Sequence, residues 1–223
     1  METKLNYKRT FLIGLAFLSI CSFWQMYDNI IPLILQNTYH LGETMTGAVM
    51  ALDNVLAIFL LPVCGMLSDK VHTKLGRRMP FIVAGTILAV IFMMMLPMID
   101  NAEKARWATG GSFSNQVFFL GVLFLTLVSI GLYRSPAVAL MPDVTPNHLR
   151  SRANAVINLM GAVGGVYALI MIKVLVGKGE TPDYLPLFSS IAAVMAIAVG
   201  ILVITIRENK LREEVEKAEA ANA

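Results

Sequence analysis

The chain has 223 residues, 57% apolar and only 15% charged, with a formal net charge of +3 and a mean hydropathy of +0.67. Globular domains carry about 25% charged residues, so this composition excludes an ordinary water-soluble domain. The apolar residues fall in long runs, and a bilayer core takes roughly 20 of them per helical crossing.

Six such runs stand at roughly 10–35, 44–67, 80–98, 116–140, 153–175 and 185–206. They predict an all-α membrane protein: a six-helix bundle over 1–206, then a charged tail or linker over 207–223. The first run is too long for a signal-peptide core and no small-residue cleavage site follows it, so it reads as a retained span. Cys21 and Cys64 fall inside apolar runs and read as small buried residues. His40, His72 and His148 lie in separate loops, so neither a metal site nor a cofactor is predicted.

Charges inside a bilayer are functional hypotheses by default. In the first run Asp28 lies about 10 Å from the outer end, and in the second Asp53 lies about 13 Å in. The two carboxylates are thus expected at similar depth on adjacent antiparallel helices, where low dielectric disfavours ionising both. A carboxylate that gains and loses a proton as its surroundings change is the physical basis of proton coupling. The alternative is that either acid faces the outer vestibule or pairs with a polar neighbour, with Gln25, Asn29 and Asn54 as candidates. Trp24 shares a helix face with Tyr27 and Asp28. A ring beside polar acceptors suits a sugar, which has an apolar face and a rim of hydroxyls. An interfacial aromatic belt explains the same residues.

Between the second and third runs stands Gly65-Met66-Leu67-Ser68-Asp69-Lys70, then Gly76-Arg77-Arg78-Met79-Pro80-Phe81. A hinge this charged lies outside the hydrocarbon. The segment from Asp100 to Asn115, with Gly110-Gly111 and Ser112, reads as a flexible external loop. In the fourth run Arg134 lies about 9 Å from the inner end, ahead of Pro136, which permits a kink. Asp143, Arg150 and Arg152 follow. Together these form either a cap and salt-bridge set fixing the loop or a gate holding one conformation. The fifth run carries Gly161 and Gly165 in small-xxx-small spacing, which favours close helix packing. Lys173, near its outer end, is placed to snorkel. The Met93-Met94-Met95 run reads as packing filler. The tail reads as a solvated helix that frays at Ala221-Asn222-Ala223, or as a linker.

Lysine and arginine placement sets orientation. One set of loops holds Lys4, Lys8, Arg9, Lys70, Lys74, Arg77, Arg78, Arg150, Arg152 and the tail; the other holds Lys104, Arg106 and Lys178. Both termini are therefore expected in the cytoplasm of a multi-pass plasma-membrane protein. The net charge reflects topology and lipid headgroups rather than nucleic acid.

The hinge resembles the loop between helices two and three of the major facilitator superfamily. Its longer form, with Val71 to Leu75 before Gly76-Arg77-Arg78-x-Pro80-Phe81-Ile82, resembles the sucrose-transporter-like branch and the glycoside–cation symporters. So does Arg134 to Arg152, with Met141-Pro142-Asp143-Val144-Thr145-Pro146. The resemblance implies an N-terminal six-helix half with an inverted three-plus-three repeat. It implies secondary active sugar transport, coupled to a proton or sodium. Gly65, Asp69, Lys70, Gly76, Arg77, Arg78, Arg134, Asp143 and Arg150 become latch or gate residues. Asp28, Asp53, Trp24, Tyr27, Gln25 and Asn54 become coupling or substrate residues. Family members have twelve spans, so a second six-helix half or a second copy is the expected partner. The latch would then lack its facing helix, leaving Asp69 to pair locally with Arg77 or Arg78. A membrane interaction protein that does not transport is the alternative from another class. No enzyme motif is present.

Overall fold

The computed structural model describes residues 5–71, 73–109, 115–177, 179 and 181–220. The readings placed on Lys4, His72, Gly110-Gly111-Ser112, Lys178 and Ala221-Asn222-Ala223 lie outside them. The described residues form helices α1 (Tyr7–Asn37), α2 (Glu43–Met50), α3 (Leu52–Lys70), α4 (Met79–Ala108), α5 (Gln116–Asp143), α6 (Arg150–Leu175), α7 (Leu185–Thr205) and α8 (Glu208–Ala220), with one 3-10 turn at Asn147–Leu149. Helices α2 and α3 meet at Ala51 and act as one span. Among the described residues six helices are long and apolar enough to cross a membrane.

Two readings need correction. The third apolar run ends near Met98, but α4 continues to Ala108. Residues 99–108 include Ala, Glu, Lys and Arg, good helix formers, and Asp100 and Glu103 are buried rather than solvated. The start of the supposed external loop is therefore helix. The residues after Arg207 form the expected charged helix, mostly exposed, but one side of it is not solvated: Glu208, Leu211 and Val215 are buried.

Helix α1 packs on α6, α7 and α5, while α5 packs on α3, α4 and α1, and α4 meets α7. Exchanging the first span with the fourth, the second with the fifth and the third with the sixth maps these pairs onto one another. That is the arrangement an inverted three-plus-three repeat requires. The second and fifth spans stand at equivalent margins and are the least buried. They expose Ile58, Phe59, Val63 and Met66 on α3, and Leu159, Val166 and Val174 on α6.

Close approaches hold the centre. Tyr133, fully buried, donates to Ala16 O at 2.9 Å and bonds Ser19 Oγ, joining α5 to α1. A Cβ on Gly85 would lie 2.7 Å from the Tyr133 backbone nitrogen, so only glycine lets α4 and α5 meet there. Between α1 and α6 the close pair is Gly161, against Cys21, and Gly164, against the Leu18 carbonyl. Gly165, expected to share that role, leaves room for a Cβ at ordinary contact, 3.7 Å from Gln25 Oε1. Helix α5 runs unbroken through Pro136 and Pro142.

Candidate functional site

A groove of about 400 Å³ opens between α1 and α6. From α1 it is lined by Phe17, Cys21, Trp24, Gln25 and Asp28, four of them on one stripe at three- and four-residue spacing. From α6 come Asn158, Gly161 and Gly165, whose small size leaves the space open. Asp28 and Asn158 are exposed, and neither they nor the Gln25 amide makes a side-chain hydrogen bond among the described residues. The Trp24 indole Nε1 is buried without a partner. A hydroxylated ligand would satisfy such groups. Asn158 and Cys21 were missed by the sequence reading. The available signal was the polar Asn158 three residues before Gly161, inside the apolar stretch from Ala155 to Val166.

The structure brings only part of the predicted coupling set into this groove. Tyr27 is buried with its hydroxyl unpartnered, packed edge-on to Trp24 at 5.4 Å between ring centroids. It does not line the groove. Asp53 and Asn54 do not line it either; the Asn54 amide donates to Asp53 Oδ1 at 2.9 Å. Asn29 turns back to donate to Gln25 O at 2.7 Å.

Arg134 joins this group rather than the hinge. Its guanidinium carbon lies 5.5 Å from the Trp24 ring centroid, a cation–π distance. Nine residues, about 13 Å of helix rise, separate it from Asp143.

The hinge residues assemble into one network. Arg78, 6% exposed, reaches Asp69 at 2.6 Å and Asp143 at 2.9 Å. Its Nη1 also donates to Ser68 Oγ and to Gly65 O. Arg77 adds contacts to Asp143 at 3.0 Å and Asp69 at 3.7 Å. The latch thus has local partners on α3 and α5. Lys70 closes α3, exposed to solvent. Arg150 stands apart from the ion pairs: it donates to Thr145 O at 3.1 Å and Pro142 O at 2.8 Å, capping the end of α5.

The anchor that the sequence reading missed is Glu208. Its carboxylate accepts backbone N–H groups of Arg77, Arg78 and Met79 at 3.0–3.1 Å, at the start of α4. An anion is favoured there by the unpaired amides and the helix dipole. Gly76, at φ +125°, allows this: a Cβ would overlap the Glu208 side chain.

A second buried cluster occupies the opposite end. Asp100, 0% exposed, accepts Thr38 Oγ1 at 2.7 Å and Lys104 Nζ at 2.6 Å. Lys104 also donates to Pro182 O at 2.6 Å and lies over the Tyr184 ring. Burial, then the charges of Asp100 and Glu103, push the Tyr39 hydroxyl up from its ordinary value. Asp183 is held below its ordinary value by the Asn101 amide and then the Leu185 N–H.

The Major Facilitator Superfamily model matches residues 13–222, nearly the whole chain. The chain belongs to the Major Facilitator Superfamily. It is an integral membrane member of that family. Among curated relatives it is similar to Sucrose transport protein SUC4 of Arabidopsis thaliana, 34% identical over 116 residues, 49% of this chain and 22% of the relative. It is similar to Sucrose transport protein SUT3 of Oryza sativa subsp. japonica, 26% identical over 137 residues, 58% of this chain and 27% of the relative. It also resembles an uncharacterized symporter of Synechocystis, 26% identical over 141 residues, 62% of this chain and 25% of that protein. The chain thus matches about a quarter of the length of these relatives.

Proposed function

We propose that this facilitator chain is one six-helix body of a secondary active sugar transporter, a proton-coupled symporter. The observation that carries the reading is Asp28 in an open groove beside Trp24 and Gln25, with no hydrogen-bond partner of its own among the described residues. A carboxylate and an amide suit vicinal sugar hydroxyls, and the Trp24 ring suits the apolar face of a pyranose. The relatives, sucrose transport proteins and a symporter by name, favour transport over enzyme chemistry.

Coupling rests on Asp28 and Asp53. A proton or sodium ion arriving at Asp28 relieves its repulsion with Asp53, so cation and sugar binding reinforce each other. Arg134, over Trp24, supplies a competing positive charge when the cation leaves. Asp69, Arg77, Arg78 and Asp143 hold the hinge in one conformation. Both termini and the hinge face the cytoplasm of a plasma membrane. Alternating access requires two bodies rocking around a site, so a second half or a second copy completes the transporter. The exposed apolar sides of α3 and α6 offer the surface for it.

The test is uptake of a labelled disaccharide into vesicles, with this chain alone and with a related second half supplied. Uptake is expected only with the second half, driven by an inward proton gradient, and lost in Asp28→Asn. Gradient-driven accumulation that persists in Asp28→Asn removes this carboxylate from coupling.

A further inference from the structure

The segment after the last span does something that neither the family match nor the transport reading assigns to it. Glu208 is 0% exposed, yet it begins a helix that is otherwise rich in charge and largely on the surface. A buried carboxylate demands compensation, and here it comes from three consecutive backbone N–H groups. The neighbouring Asn209 amide reaches the same turn from its other side, donating to Thr73 O at 3.0 Å and Lys74 O at 3.3 Å. The turn is itself closed: Thr73 and Gly76 exchange backbone hydrogen bonds at 3.3 and 3.1 Å, and Thr73 Oγ1 donates to Gly76 O at 2.6 Å. Leu211 and Val215 bury the inner side of α8, and Glu214 pairs with Arg9 of α1 at 3.3 Å.

We infer that Glu208 and Asn209 form a clasp by which α8 sets the position of the hinge arginines. Glu208 fixes the backbone of Arg77 and Arg78, and that backbone aims both guanidiniums at Asp69 and Asp143. Glu208 is thus a positioning residue: it orients the latch through main-chain amides and forms no ion pair with the latch arginines. Gly76 is the matching half of the device, since only a residue without Cβ at positive φ admits the carboxylate. A displacement of α8 is therefore transmitted to the hinge, and a shift of the hinge to α8.

The test uses the full chain in nanodiscs and does not measure transport, so its failure leaves the transport reading standing. Hydrogen exchange is followed in the peptide covering Arg77, Arg78 and Met79, for the wild type, Glu208→Ala and Glu208→Gln. Slow exchange is expected in the wild type, with about tenfold faster exchange in Glu208→Ala and an intermediate rate in Glu208→Gln, which keeps an acceptor without the charge. Spin labels at the exposed positions Leu75 and Lys210 supply a second readout. Their separation should be narrowly distributed in the wild type and broad in Glu208→Ala. Should that variant fail to fold, Gly76→Ala displaces the same carboxylate from the other side and should broaden the same distribution. Exchange equally fast in wild type and variant, or label separations unchanged by these substitutions, would overturn the clasp.

Discussion

The two ends of the bundle solve the problem of buried charge in opposite ways. At the hinge the centre is cationic: two adjacent guanidiniums bridge carboxylates on different helices, and Asp69, one of those carboxylates, is 51% exposed. At the other end the centre is anionic: Asp100 is 0% exposed, paired with Lys104 one turn along the same helix and held by Thr38. The hinge network joins α3, α4, α5 and α8, and of its carboxylates Asp69 alone stands half in solvent, while Asp143 and Glu208 are largely or fully buried. The Asp100 cluster ties α4 to the ends of α1 and α7 around a fully enclosed carboxylate. Helix α4 takes part in both. One end stands partly open to water, and the other has its central carboxylate enclosed.

Four outcomes would break or sharpen this contrast. Arg78→Ala should have the largest effect. It leaves Asp143 mostly buried and short of partners, with an expected loss of about 3–4 kcal/mol in thermal melts in detergent. Arg78→Lys should recover little of it, because an ammonium cannot bridge two carboxylates as a guanidinium fork does. A melt indistinguishable from wild type would show that the hinge charges are not structural. Asp100→Ala should cost about 2 kcal/mol, less than Arg78→Ala, because Lys104 can turn toward water. If Asp100→Ala proves the more damaging, the ranking of the two ends reverses.

Thr38→Val removes one hydrogen bond to Asp100 while keeping the shape of the side chain, and should cost about 1 kcal/mol. The smallest effect concerns Asp183. Its carboxyl value lies below the ordinary 3.8, so its stabilising contribution is complete above that value and is lost as pH falls through the lower folded value. Asp183→Asn should therefore flatten the acid limb of a stability–pH curve by lowering stability slightly at neutral pH and leaving it unchanged below the folded value. A loss of the same size at acid pH would mean that Asp183 acts through geometry and not through its charge.

Much of the fold was legible because the bilayer makes one demand on six segments alike. Apolar length and loop charge express it in the residues themselves. The end of α4 was not legible, since Asp100 and Glu103 look like loop residues until a partner from α1 or the start of α5 is brought to them. The site divides in the same way. Asp28, Trp24 and Gln25 could be grouped from helical spacing on one chain segment. Asn158 lies 130 positions from Asp28 in the sequence, and no local pattern pairs them. Glu208 shows the limit most clearly: an acid in a charged tail has the composition of solvated surface, and only the approach of Gly76 gives it a buried role. The setting of Arg134 was not legible for a related reason. Its loop neighbours follow it on its own helix, whereas the ring it covers, Trp24, is on α1.

The hydroxyl of Ser22 accounts for one property of the groove. It donates both to Leu18 O within α1, at 2.8 Å, and across to Gly164 O of α6, at 2.9 Å. With the Leu18 carbonyl seated where a Gly164 side chain would be, these two helices cannot slide without losing both the Ser22 bond and this close contact. The width beside Cys21 and Trp24 is thus set before anything enters. A guest would be selected by fit to a fixed width, with little entropy lost in ordering the host.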